Sequence, residues 1–216
     1  MKTFKYIILG VLMAILSLSS MTELLGQKGS IEFLETYSYS EIISHLDPGD
    51  RLFQLVDANQ SDPESSKLGI CNAEKAAEVW KYLQTESFLN QLPNNTRFAW
   101  GVREKEEEYL TLFALKQPGK AFAGPDQSDI EEMAIQKDNK NESFGLFISF
   151  SEDGAEKWET LTGKNVNRNI AIVIEGKVYA APIVREKIKQ GECVISGNFS
   201  KKDVSRLKEL LEKPTN

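Results

Sequence analysis

Ile170-Ala171-Ile172-Val173-Ile174-Glu175-Gly176-Lys177-Val178-Tyr179-Ala180 carries the strongest structural signal in the chain. Its first five residues are apolar without alternation. That predicts a strand buried on both faces, because a half-exposed strand would show polar residues at every second position. Glu175-Gly176 then separates two strand-like runs. A two-residue connection ending in glycine predicts a tight hairpin, since such turns require positive φ. The second strand runs from Lys177 to Ile183, and Pro182 puts its end at an edge or irregular position.

Upstream of this hairpin, Phe144, Leu146, Ile148 and Phe150 alternate with Gly145, Phe147 and Ser149, which predicts a strand with one apolar face. Ser151 can cap a helix on which Ala155, Trp158 and Leu161 share a face, with Gly163 as its stop. Downstream, Glu192 to Ile195 reads as a strand ended by Ser196-Gly197. Ser200 and Asp203 form a capping-box-like pair before a final helix, whose buried stripe is Val204, Leu207, Leu210 and Leu211. The order strand, helix, strand, strand, strand, helix is that of an α+β fold. With one strand from upstream it suits a ferredoxin-like antiparallel sheet with helices packed on one face, beside a smaller N-terminal α+β region.

The rest of the chain is patterned less sharply. Glu41 to Leu46 predicts a short helix closed by Asp47-Pro48-Gly49-Asp50, and Arg51 to Val56 a short strand. Asp57 to Lys67 is a polar loop and the best candidate for a link. Asn72 caps a helix over Ala73 to Leu83, on which Ala76, Val79, Trp80 and Leu83 recur at helical spacing. Leu89 to Asn95 is turn. Arg97 to Val102 and Tyr109 to Leu115 are strands joined across Glu104 to Glu108. Lys116 to Gln127 is loop, and Asp126 to Met133 and Asp138 to Glu142 are polar connections. The expected division is 1–26 as a leader, 27–67 as a poorly defined N-terminal region, 68–142 as a base-like α+β region and 143–212 as the C-terminal domain.

Lys2 and Lys5 precede an uncharged run from Tyr6 to Thr22. That is the pattern of a secretory signal, cut near Gly26-Gln27, or of a single uncleaved anchor. Either reading places Lys28 to Asn216 outside the cytoplasm. Outside the cytoplasm, Cys71 and Cys193 could pair, although two separate buried thiols is the favoured expectation.

The 216 residues include 26 Lys and Arg against 32 Asp and Glu, for a formal charge of −6. A mildly acidic chain without a basic block lacks the clustered cations that phosphate contacts need, which argues against nucleic acid as a partner. One histidine and two cysteines cannot supply a structural zinc finger. With a single histidine, His45, and no Gly-x-Ser-x-Gly, no hydrolase triad is expected. Gly163-Lys164 superficially suggests a phosphate loop, but Asn165 follows where Ser or Thr is needed and Trp158 occupies the first glycine position. Glu104, Glu106, Glu107 and Glu108 cluster at a hairpin tip, where solvated carboxylates have ordinary chemistry. Trp80, Trp100 and Trp158 read as core. No catalytic, cofactor or metal residue is expected, and the chain is not expected to be an enzyme.

Phe144 to Leu211 resembles the head region of the first large periplasmic domain of SecD, the accessory subunit of the bacterial Sec translocon. The likeness rests on Gly154-Ala155 with Trp158, Leu161-Thr162 and Asn165-Val166. It continues through Ile170 to Pro182, which is similar to the family hairpin, and Ile195-Ser196-Gly197-Asn198-Phe199-Ser200, which is similar to its turn into the last helix. Leu68-Gly69-Ile70, the Ala76–Leu83 helix, Pro93 to Gly101 and Leu112 to Lys116 look similar to SecD proteins of the Bacteroidetes type. Asn167 stands where the family usually has glycine, Glu175 replaces its aspartate and Ala180 its serine.

The resemblance implies a non-enzymatic extracytoplasmic domain, in the periplasm, that works in Sec-dependent protein translocation by touching exported polypeptide or Sec components. The proton-coupled membrane helices of SecD have no counterpart in this sequence, so a free-standing or singly anchored head-type domain is the expectation. The alternative is an envelope binding module reusing the same fold for another partner; an envelope enzyme is a more distant third reading. A polypeptide could add as a strand at an open edge near Pro182 or lie on an exposed face of the head sheet.

Overall fold

The computed structural model describes residues 30–58, 62–102, 108–119, 123–138 and 142–212. The leader lies outside these residues. So do Glu104, Glu106 and Glu107.

The fold is α+β, with antiparallel sheets and packed helices. At its centre lies a three-stranded sheet in which β1 (Ile31–Glu35) pairs with β8 (Ile170–Ile174), and β8 with β9 (Lys177–Ala180). All five β8 residues are buried. The reason is a layer on each side. Ala171 and Val173 join Leu34 and Val178 against Ala99, Phe113 and Leu115 of a second sheet. Ile170, Ile172 and Ile174 point the other way, into the core formed with the C-terminal helices and a third sheet. A strand covered on both faces must be apolar at both parities, so the unbroken run at Ile170 is explained. The turn after it has Glu175 at φ 49° and Gly176 at φ 74°, both in the left-handed region that a tight hairpin requires. Asn167 also lies there, at φ 65°, where the SecD resemblance expects glycine. Asparagine is among the few side chains that visit this region readily.

The second sheet has four strands: β2 (Asp57–Ala58), β3 (Lys67–Asn72), β5 (Tyr109–Lys116) and β4 (Thr96–Trp100), in that spatial order. Its far face packs Leu68, Cys71, Phe98, Leu112 and Ala114 against α1 (Tyr39–Ile43), α2 (Leu52–Leu55), α3 (Ala76–Leu83) and α4 (Glu86–Leu89). The third sheet orders β10 (Glu192–Ile195), β7 (Phe144–Phe150) and β6 (Ile130–Lys137). Leu146, Ile148 and Phe150 of β7 face α5 (Glu152–Lys164) and α6 (Lys201–Glu212) through Trp158, Leu161, Val204, Leu207 and Leu211.

Several local expectations are corrected. Arg51 to Val56 is helical over Leu52–Leu55, because the Asp50 carboxylate accepts the Leu52 N–H at 2.8 Å and holds the first turn, while Leu52 and Val56 are both buried. Ile130 to Lys137 is a strand and not a polar connection: Met133 and Ile135 pack inward, while Ala134 pairs with the outward Phe147. The polar stretch after Val56 begins with two paired residues, Asp57 opposite Ile70 and Ala58 opposite Gly69. Gly163 lies inside α5. The helix continues to Lys164, and the Asn165 side chain donates to the Leu161 carbonyl at 2.8 Å beyond it. The strands of the last third are shared between two sheets, because β8 takes β1 as its outer neighbour. Cys71 and Cys193 are free thiols in separate cores.

Glu41 ties α1 to the loop before β8. Its carboxylate accepts from the Ser38 N–H at 2.8 Å and from the Arg168 guanidinium at 2.6 Å, with Lys116 at 3.6 Å. Burial pushes this carboxyl up, but the Ser38 and Arg168 hydrogen bonds and the charges of Lys116 and Arg168 outweigh burial and hold it below its ordinary range. A carboxylate lowered on folding stabilises above its unfolded value of about 4.3, and that contribution is lost as pH falls through the lower folded value. Thermal unfolding from about pH 6 down to about pH 3 is therefore expected to show the advantage of the natural chain over Glu41→Gln shrinking toward acid. An advantage that is constant with pH would contradict this.

Candidate functional site

The two long helices cover only one face of the third sheet. On the other face, the register aligns Val194, Phe147 and Ala134 in a row across β10, β7 and β6. Val194 is 45% exposed and Phe147 and Ala134 are half-buried. Glu192, Ser149 and Glu132 form the next row. Gly145, paired with Gln136, is needed for the close approach of β10: a Cβ there would sit 2.9 Å from Val194 Cγ1. The result is an apolar row with an acidic border on the face opposite the helices.

The edge near Pro182 is not open. The Pro182 carbonyl accepts from the Ile170 N–H at 3.1 Å, and Asn169 Nδ2 donates to the Ala181 carbonyl at 2.6 Å. The outer edge of β9 meets Gly101 through Val178, whose carbonyl accepts from the Val102 N–H at 2.9 Å. The long edge lies elsewhere, on β6. Its eight residues pair only with β7 among the described residues.

The residues considered as chemical candidates are dispersed. Trp158 is 5% exposed and donates to the Glu192 carbonyl at 3.1 Å. Trp80 and Trp100 pack together on the other side of the molecule, with ring centroids 6.4 Å apart. His45 and Glu108 are exposed. Gly163 packs near the Lys187 stem in the last turn of α5 and opens no phosphate loop. Burial pushes the Cys193 thiol up to about 12, so it is held protonated and unreactive. Among the described residues there is no group of three or more His, Cys, Asp or Glu placed to hold a metal ion, and no helix long and apolar enough to cross a membrane.

The outward row was missed at the sequence level. Phe147 was visible as the aromatic on the polar side of an alternating strand. The alternation of Met133 and Ile135 with Glu132, Ala134 and Gln136 would have revealed β6.

An antiparallel sheet with helices on one face and an apolar row on the other defines this C-terminal segment as an α+β unit. Residues 121–214 match the family model described as SecDF, P1 head subdomain. The protein translocase subunit SecD of Acidaminococcus fermentans is 45% identical over 118 residues, covering 51% of this chain and 27% of its own length. The protein translocase subunit SecDF of Thermus thermophilus is 38% identical over 64 residues, covering 30% of this chain and 9% of its own. The chain thus spans about a quarter or less of these relatives. Among solved structures, SecDF in a super-membrane-facing form is 20% identical, with TM-score 0.45, over 88% of this chain and 19% of that one. A second structure, described as a membrane component SecDF that enhances protein export, is also 20% identical. It has TM-score 0.44 and covers 89% of this chain and 66% of that one. The C-terminal segment of this chain is thus similar to the P1 head subdomain of SecD-type proteins.

Proposed function

We propose that this chain is a non-enzymatic, periplasmic SecD-type domain that serves Sec-dependent protein translocation by contacting exported polypeptide or Sec components. In this reading residues 1–26 are a cleaved signal or a single anchor, residues 27–67 lead into a base-like region at 68–142, and residues 143–212 are the head. The match of residues 121–214 to the SecDF head subdomain carries the proposal, because that segment builds the whole third sheet with its open Val194–Phe147–Ala134 row. An apolar row a few strands wide favours unfolded chain over folded protein, since only an unfolded chain presents contiguous apolar side chains.

The test is photo-crosslinking in intact cells from a benzoylphenylalanine placed at Phe147, with Glu175 as a control position on the hairpin turn. Adducts to an exported chain or a Sec subunit from Phe147, and none from Glu175, are expected. Adducts confined to an envelope protein unrelated to export would favour the reuse of the fold for another partner. No adduct at either position would sink the contact reading.

A further inference from the structure

The open edge of β6 is unusual. Natural edge strands are kept short, carry proline or point charges inward, because a long free edge recruits further strands. β6 is eight residues long, holds no proline and places Met133 and Ile135 on its inward side, both only half-buried. Its exposed charges are segregated by sign: Glu131 and Glu132 near one end, Lys137 at the other. A strand of this pattern complements itself when reversed.

We propose that two copies of this chain pair through β6, antiparallel, about a twofold axis at Ala134. Ala134 then faces its own copy, and Met133 faces Ile135 twice. Glu131 and Glu132 of each copy lie beside Lys137 and Gln136 of the other. A shift of register moves these charges out of alignment, and a parallel arrangement stacks Glu131 on Glu131 and Lys137 on Lys137, which is unfavourable. The two three-stranded sheets become one sheet of six strands. The apolar rows join through the two Ala134 residues into one line from Val194 of one copy to Val194 of the other.

The helices permit this pairing. α6 lies beneath β6 and β7. With strands about 4.8 Å apart, a helix midway between β6 and β7 lies about 5 Å from the axis, so the two α6 helices run antiparallel about 10 Å apart. That is close to the normal spacing of packed helices. The β-bulge between Ile130 and Glu132 ends the regular ladder at that end, so the backbone pairing runs over Glu132 to Gln136 and Glu131 meets Lys137 of the other copy by charge at its margin.

This pairing is a property of the protein alone and does not depend on the export reading, so the two can fail separately. Sedimentation equilibrium of the purified chain is expected to show a monomer–dimer equilibrium. Glu131→Lys or Lys137→Glu alone places like charges opposite each other twice, and each is expected to weaken dimerisation about tenfold. The double exchange restores it to within about threefold. Both positions are exposed, so the variants keep the fold. Oxidation of the Ala134→Cys variant is expected to give a covalent dimer. Glu132→Cys, about 13 Å from its own copy along the strands, gives none. A chain that sediments only as a monomer, or a dimer indifferent to the charge exchanges, overturns the proposal. So does an Ala134→Cys variant that links to another polypeptide in the envelope but not to itself, which would assign the edge to strand addition by that polypeptide.

Discussion

Trp158→Ala is expected to lower the unfolding free energy by about 4 kcal/mol, the range for removing a large buried aromatic. The indole meets Phe33 at a centroid distance of 5.2 Å and Phe150 at 5.8 Å, and Phe33 meets Phe150 edge-on at 5.4 Å. These three rings come from α5, β1 and β7, one from each layer around the main core. The indole N–H also satisfies the Glu192 carbonyl of β10. Truncation therefore opens a cavity where three elements converge and leaves an acceptor without its donor. Trp158→Phe retains most of the packing and loses the hydrogen bond, so about 1–2 kcal/mol is expected. Urea denaturation followed by circular dichroism measures both. Equal losses would show that packing contributes little here.

Lys157→Met is expected to cost more than Asp129→Ala, although Lys157 is the more exposed partner. Asp129 is 5% exposed, and its carboxylate accepts from Lys157 Nζ at 2.7 and 2.9 Å and from the Asp126 N–H at 2.8 Å. Removing the lysine strands a buried carboxylate, a loss of about 3 kcal/mol. Removing the aspartate frees a lysine that can turn to water. The cost is then chiefly the capping box at Asp126–Asp129 and the helix contact, about 2 kcal/mol. The hydrogen bond to Asp129 raises the Lys157 ammonium above its ordinary range, so the lysine stays charged at neutral pH. The reverse order of losses would show that the carboxylate finds enough water or other donors once Lys157 is gone.

The C-terminal third was legible because its signals are local. The Glu175-Gly176 turn, the alternation through Phe150, the Ser151 cap and the stripe on α6 each predict their own element, and each element formed. The segments misread depend on distant partners. β1 fell in the poorly defined 27–67 region because Phe33 and Leu34 are both buried, on opposite faces of the central sheet, and so blur the alternation. β6 looked polar because it lies at an edge, where only Met133 and Ile135 pack inward. Leu52–Leu55 looked like a strand because a one-turn helix is too short to show its period. The candidate face was partly visible in Phe147, but its row needed Val194 and Ala134, which only pairing aligns.

β1 is the first described strand, yet its partner β8 comes far later in the chain. The Thr36 hydroxyl reaches the Asn169 carbonyl across 133 positions. Synthesis runs from the N-terminus, so the central sheet cannot close until Ile174 has been made. Such long-range closure slows folding, because chain entropy is lost before the contact compensates for it. Until then Ile31 and Phe33 of β1 lack the core that covers them, and a chain of this design spends an extended interval open to a holding chaperone.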